Sequence, residues 1–232
     1  MPEMIAILMY HNVGEKGRHL NVSPQGLAKQ CQMLQRLRFR VMPLRELAEH
    51  LHHRQLPRRA AVFTFDDALL GVYEHAAPIL RRHGWVGTVF AVSRRLGGET
   101  DWTDDYRHRV MSREQLLALH RAGWEVGGHT LTHSYLTRLP PEDARHEIEQ
   151  CRHELEELTG APVLSFCYPY GDWNDAVTQM VREAGYQAAC TVRKGLVKPQ
   201  DNPLTLPRVH IAYSDGATGL LYRLWRAWRR TR

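Results

Sequence analysis

Two adjacent carboxylates, Asp66 and Asp67, close an apolar run that contains Ala61, Val62, Phe63 and Phe65. At the end of a buried strand such a pair repels itself and loses hydration unless a positive group stands beside it. Further along, the stretch GGHTLTH sets His129 and His133 four apart. On a helical turn residues so spaced face the same way and can grip one ion. With Asp67 as an oxygen donor they form a two-histidine, one-carboxylate set. Three protein donors leave a coordination position open, as a catalytic zinc or similar divalent site requires. The ion would also answer the carboxylate problem, because a cation held by Asp67 stabilises both acids. Asp66 is then left ionised as a general base for water whose pKa the metal lowers. Blander readings stand beside this one. Acids often cap a following helix, and among 14 histidines an H-x-x-x-H pair arises easily by chance. The Gly127–Gly128 pair just before His129 favours a tight turn and so the ligand reading.

The elements that must position these residues alternate almost to the end of the chain. Strands are expected over residues 4–10, 60–65, 87–92, 124–128, 163–168, 186–191 and 207–213. Helices are expected over 23–37, with Ser23 and Pro24 at its start, and over 73–84, 112–123, 140–160 and 175–185. About seven strand–helix repeats without a linker imply a parallel sheet with helices outside it, and the length favours a barrel of seven strands. In barrels chemistry gathers where strands end. His11, Asp66, Asp67, His129, His133 and Tyr170 all follow strand ends.

Composition narrows the classes. A chain of 232 residues with 43% hydrophobic content suits one large domain. Net charge is +6, yet the last twelve residues hold five arginines and no acid, leaving 26 basic against 25 acidic residues elsewhere. That balance argues against nucleic acid as a partner. The four cysteines lack metal or disulfide spacing and read as reduced, buried thiols. The N-terminal stretch has an acid where a signal peptide wants bases, so the expectation is cytoplasmic; a chain trimmed of its leader would read the same.

The motifs TFDDA, HTLTH and FCYPYG, in this order over residues 5–212, resemble the polysaccharide deacetylases of the NodB-homology type, the fourth carbohydrate esterase family. The pattern is most similar to the poly-N-acetylglucosamine deacetylase branch. The resemblance implies an α/β fold, a distorted (β/α)7 barrel in a single domain over residues 1–214; the residues that follow, 215–232, read on their own pattern as a basic amphipathic helix. The resemblance also implies a hydrolase that removes an N-acetyl group from an amino sugar, with one divalent metal ion, zinc first and cobalt, nickel, iron or manganese also compatible. Asp66 would be the base, and Asp67, His129 and His133 the metal ligands. Pro169 and Tyr170 would line the site, the Tyr170 N–H holding the oxyanion. His11 would be the general acid, with His210 the runner-up. The chain departs from the pattern at Ala68, where Gly is usual, and at Cys167, where many members carry an Arg that orients the base. Arg208 is the candidate replacement. A deacylase or deformylase of a lipid-linked amino sugar and a silent glycan-binding module are the alternatives.

In the tail, Leu220, Leu221, Leu224, Trp225 and Trp228 fall on one helical face with arginines opposite. Such a helix either lies on an anionic membrane surface, which would place the protein at the inner face of the membrane, or packs on the barrel with solvated arginines.

Overall fold

Every one of the seven apolar runs becomes a strand of a closed parallel sheet in the computed structural model, which describes residues 4–15, 20–102, 107–212 and 215–231. In chain order the strands are β1 (Met4–Tyr10), β2 (Asn12–Val13), β3 (Asn21–Val22), β4 (Arg40–Val41), β5 (Arg59–Phe65), β6 (Thr88–Ala91), β7 (Glu125–Gly128), β8 (Ser165–Cys167), β9 (Ala188–Lys194) and β10 (Leu206–His210). The α-helices are α1 (Pro24–Arg36), α2 (Leu44–His52), α3 (Ala77–Arg81), α4 (Arg113–Arg121), α5 (Pro141–Thr159), α6 (Asp175–Glu183) and α7 (Ala217–Thr231). The sheet runs β1-β10-β9-β8-β7-β6-β5, and β5 pairs with β1 along its whole length to close it. The result is a distorted (β/α)7 barrel. β4 pairs with the start of β5, where β6 has not yet joined.

Helix boundaries follow local chemistry. Ser23 caps α1 through the Gly26 N–H, Ser112 and Gln115 form a capping box on α4, and Asn174 caps α6. Before α3 the chain makes a π-helical turn, Val72–Ala76, where Pro78 withholds its N–H from the regular ladder. Tyr213 and Arg232, within the last expected strand and the tail, lie outside the described residues.

Inside the barrel, Ile5, Ile7, Ala60, Val62, Phe90 and Leu206 pack together, and α2 closes the floor with Leu44, Leu47 and Leu51. The first turn of α2 is tied to the barrel wall. Leu44 N–H donates to Thr88 Oγ1 and Arg45 N–H to Glu125 Oε2, both at 2.9 Å. Glu125 also accepts from the Thr88 and Ser165 hydroxyls, which is why a buried acid is tolerated at the start of β7.

The four cysteines are free and buried, as composition suggested. The tail helix packs part of its apolar face on the barrel. Leu220, Leu224 and Ala227 are buried against α1 and β10, whereas Leu221 and Trp225 stay exposed instead of joining them. Among the described residues no helix is long and apolar enough to cross a membrane.

Candidate active site

All the candidate site residues meet at the carboxyl end of the barrel: His11 after β1, Asp66 and Asp67 after β5, His129 and His133 after β7, Pro169 and Tyr170 after β8, and Arg208 within β10. Asp66 prolongs the β1–β5 ladder, its N–H donating to the Tyr10 carbonyl at 3.0 Å. Asp67 and Ala68 then turn into the left-handed region, with φ of 69° and 50°. This turn separates the two carboxylates, and it explains why Gly would sit more easily than Ala at position 68. Neither acid caps a helix: the next helical turn begins at Val72 and has no side-chain cap.

The two acids have different partners. Asp66 receives both ends of the Arg208 guanidinium, Nη1 to Oδ1 at 2.7 Å and Nη2 to Oδ2 at 2.8 Å. Arg208 is fully buried and donates as well to the Thr191 carbonyl, Thr64 Oγ1 and Cys167 Sγ. Burial alone would raise the Asp66 pKa, but the bidentate Arg208 outweighs it and holds the carboxyl below its ordinary value. The arginine thus occupies the place beside the acid that Cys167 cannot fill.

Asp67 faces imidazoles instead. Its Oδ1 is buried without a hydrogen-bond partner among the described residues, 3.4 Å from His129 Nε2 and 3.3 Å from His133 Nε2. A four-coordinate ion with bonds of about 2.0–2.2 Å keeps its donors about 3.3–3.6 Å apart. An orphaned buried acceptor at that spacing from two ring nitrogens fits one divalent cation. The His129 Nδ1 lies 2.6 Å from the Cys167 carbonyl, which only accepts, so Nδ1 carries the proton and the neutral ring offers Nε2. A second group, Asp66, His129 and Cys167, also lies within 4.8 Å. It is a poorer donor set, because Asp66 is committed to Arg208 and burial pushes the Cys167 thiol up to about 11.

The loop that carries the histidines differs from expectation. His129 and His133 do not share a helical turn: Thr130 and His133 are left-handed, with φ of 64° and 67°. The rings converge because the loop is held from outside. Glu147 of α5 accepts from the Leu131 N–H at 2.9 Å, the Thr132 N–H at 3.0 Å and the Thr132 hydroxyl at 2.7 Å. Gly127 and Gly128 do not make the turn either; both lie in β7, where a Cβ would come within 2.6 Å of the Phe90 ring and 2.3 Å of the Tyr186 hydroxyl. Glu147→Ala should weaken metal binding about 10–100-fold, as removal of an outer support typically does. It should also cost about 2 kcal/mol of stability for the lost charged hydrogen bonds. Metal titration calorimetry and thermal denaturation check both; unchanged metal affinity would show that the loop holds itself.

His11 Nε2 stands 3.8 Å from Asp66 Oδ2. Burial lowers its pKa, although Asp66 and Asp67 pull it upward. His210 is engaged elsewhere: its Nε2 lies 2.8 Å from the Val192 carbonyl, and burial pushes its pKa down to about 4. Tyr170 sits at a left-handed turn, φ 58°, 39% exposed, with its ring edge-on to His133 at 4.5 Å. Two neighbours escaped the sequence reading. Trp102 stacks on His133 at 4.4 Å and Tyr135 on Tyr170 at 3.8 Å, so aromatic rings gather around His133. Only the residue type could have hinted at them.

A family model described as polysaccharide deacetylase matches residues 53–189. A putative polysaccharide deacetylase, YxkH of Bacillus subtilis, is 23% identical over 219 residues, covering 94% of this chain and 74% of the relative. The poly-beta-1,6-N-acetyl-D-glucosamine N-deacetylase of Staphylococcus epidermidis is 23% identical over 217 residues, covering 90% and 73%. Two solved structures share the fold. The Streptococcus pyogenes deacetylase PplD in complex with acetate has a TM-score of 0.85 at 22% identity, covering 97% of this chain and 99% of that one. IcaB from Ammonifex degensii has a TM-score of 0.86 at 24% identity, covering 96% and 97%. The family match spans the turn with both carboxylates, the histidine loop and the Pro-Tyr-Gly segment, and the chain belongs to the polysaccharide deacetylase family.

Proposed function

We propose that this protein is a divalent-metal-dependent hydrolase that removes N-acetyl groups from an N-acetylglucosamine-type glycan. The observation that carries the reading is the division of labour between the adjacent acids: Asp66 locked on Arg208, Asp67 turned with a bare oxygen toward two imidazoles. Asp67, His129 and His133 would hold the ion. When bound, such an ion supplies polarisation of a carbonyl and acidification of water at neutral pH.

The chain's own residues supply the rest. Asp66, ionised and fixed in orientation by Arg208, takes the proton from the attacking water. The Tyr170 N–H donates to the oxygen that gains charge as the acetamide carbon becomes tetrahedral, an interaction worth about 3 kcal/mol in comparable sites. His11, on the Asp66 side, passes a proton to the departing amine, so that acetate and a free amino sugar leave. Trp102, Tyr135 and Tyr170 offer aromatic faces against which the apolar side of a sugar ring can pack. The name of the staphylococcal relative supports an N-acetylglucosamine polymer as the substrate class.

Incubation with β-1,6- and β-1,4-linked N-acetylglucosamine oligomers, with and without chelator, tests the reading. Acetate release that stops on chelation and returns with added zinc is expected. Oligomer binding without acetate release would instead identify a glycan-binding module.

A further inference from the structure

The fold leaves one helical face over. Leu221, Tyr222 and Trp225 of α7 are 50%, 56% and 46% exposed, while Leu220, Leu224 and Ala227 fill the core. Among the described residues, the other large hydrophobic side chains with such exposure are Tyr170 and Val192, at the catalytic mouth. Exposed apolar surface away from the mouth therefore gathers on a single helix. It borders an apolar groove of about 620 Å³, lined by Met4, Phe39, Leu224, Trp225 and Trp228 and bounded by Arg59. Met4 opens β1 and Arg59 opens β5, so the groove lies at the amino end of the barrel, opposite the catalytic mouth.

The charge around this face has one sign. α7 carries four arginines and no acid. Arg223 is paired with Asp215, whereas Arg226, Arg229 and Arg230 are exposed. The Arg226 guanidinium lies 5.7 Å from the centre of the Tyr222 ring, and that of Arg229 lies 5.1 Å from the Trp225 ring. Exposed Arg36, Arg38 and Arg58 flank the groove residues Leu37 and Arg59 in sequence. Half-exposed indole and phenol rings with arginines laid across them suit the headgroup layer, where the rings take the boundary and the guanidinium groups meet phosphate. A second copy of this face would bring like charges together, which disfavours a dimer through it.

We propose that α7 and the adjoining groove dock this protein on an anionic phospholipid bilayer. The catalytic mouth then faces away from the membrane, toward glycan presented from solution. The proposal stands independently of the activity assigned above.

Sedimentation with sucrose-loaded vesicles tests it. Phosphatidylcholine alone is compared with phosphatidylcholine containing about one third phosphatidylglycerol. The protein should sediment with the anionic vesicles, not with the neutral ones, and less as salt rises. Leu221→Ser/Trp225→Ser should lower the partition coefficient about 10-fold, and Arg226→Gln/Arg229→Gln about 10–30-fold. Both variants should keep the parent melting temperature and deacetylase activity, since none of these residues reaches the site. Failure to sediment, equal recovery with neutral vesicles, or unchanged partitioning of both variants would overturn the proposal. Equally tight binding to polyglutamate in solution would overturn it in favour of an acidic protein partner.

Discussion

Asp66→Asn should reduce turnover about 10²–10⁴-fold, the usual contribution of a general base, while the divalent ion still binds. The substitution keeps the shape and one acceptor oxygen but removes the charge that takes up a proton. It also leaves Arg208, which is fully buried, facing a neutral amide. An uncompensated buried charge costs about 3–5 kcal/mol, so the single variant should melt well below the parent. Lost activity could then reflect lost fold, and a second variant separates the two. Asp66→Asn/Arg208→Met removes both partners, which in buried pairs is often near neutral for stability. The double variant should regain most of the melting temperature and none of the turnover. Acetate release, metal content and thermal denaturation read the three quantities separately. Turnover in Asp66→Asn within about 10-fold of the parent would remove Asp66 from the role of base.

The partner that makes Asp66 what it is was the hardest residue to read. Arg208 lies 142 positions away along the chain, inside a strand, and nothing local marks an arginine that will be fully buried. Its candidacy came only from a resemblance and a gap at Cys167. The strands were legible because each is a short apolar run bounded by polar or glycine residues, a pattern local to the chain. β4, two residues long, carries no such signal. α2 did carry one, since Leu44, Leu47, Ala48 and Leu51 recur at helical spacing, and it went unread. The histidine pair was legible as types and spacing, but not as geometry. Left-handed Thr130 and His133 are costly for L-residues and persist where other elements hold them, as Glu147 of α5 does. Gly127 and Gly128 show the same limit: what demands glycine there is a neighbouring side chain, Phe90 or Tyr186, not the turn that their adjacency suggested. The apolar stripe of the tail helix is legible in its spacing, yet which of those residues turn inward depends on α1 and β10, which no window of α7 contains.

Removal and return of the metal should change the stability of the whole chain, not only its activity. A ligand that binds the folded state alone at about 1,000 times its Kd adds about 4 kcal/mol. For a chain of 232 residues that corresponds to a rise in Tm of about 8–16 °C. Chelated protein titrated with zinc should show this rise. His133→Ala and Asp67→Asn, each lacking one of the three donors, should stay near their metal-free Tm at the same zinc concentration. Protons supply an independent readout. In the metal-free chain burial opposes a charge on His129, but Cys167 and the Asp67 carboxylate beside it outweigh burial and hold its pKa well above the ordinary histidine value. A raised pKa lets protons compete with the ion for Nε2, so binding below that pKa displaces a proton. Apparent affinity should rise about 10-fold per pH unit up to the His129 pKa and then level off, with about one proton released per ion. Calorimetry in buffers of different ionisation enthalpy counts that proton. An affinity that does not rise with pH, or a rise in Tm that survives Asp67→Asn undiminished, would place the ion elsewhere.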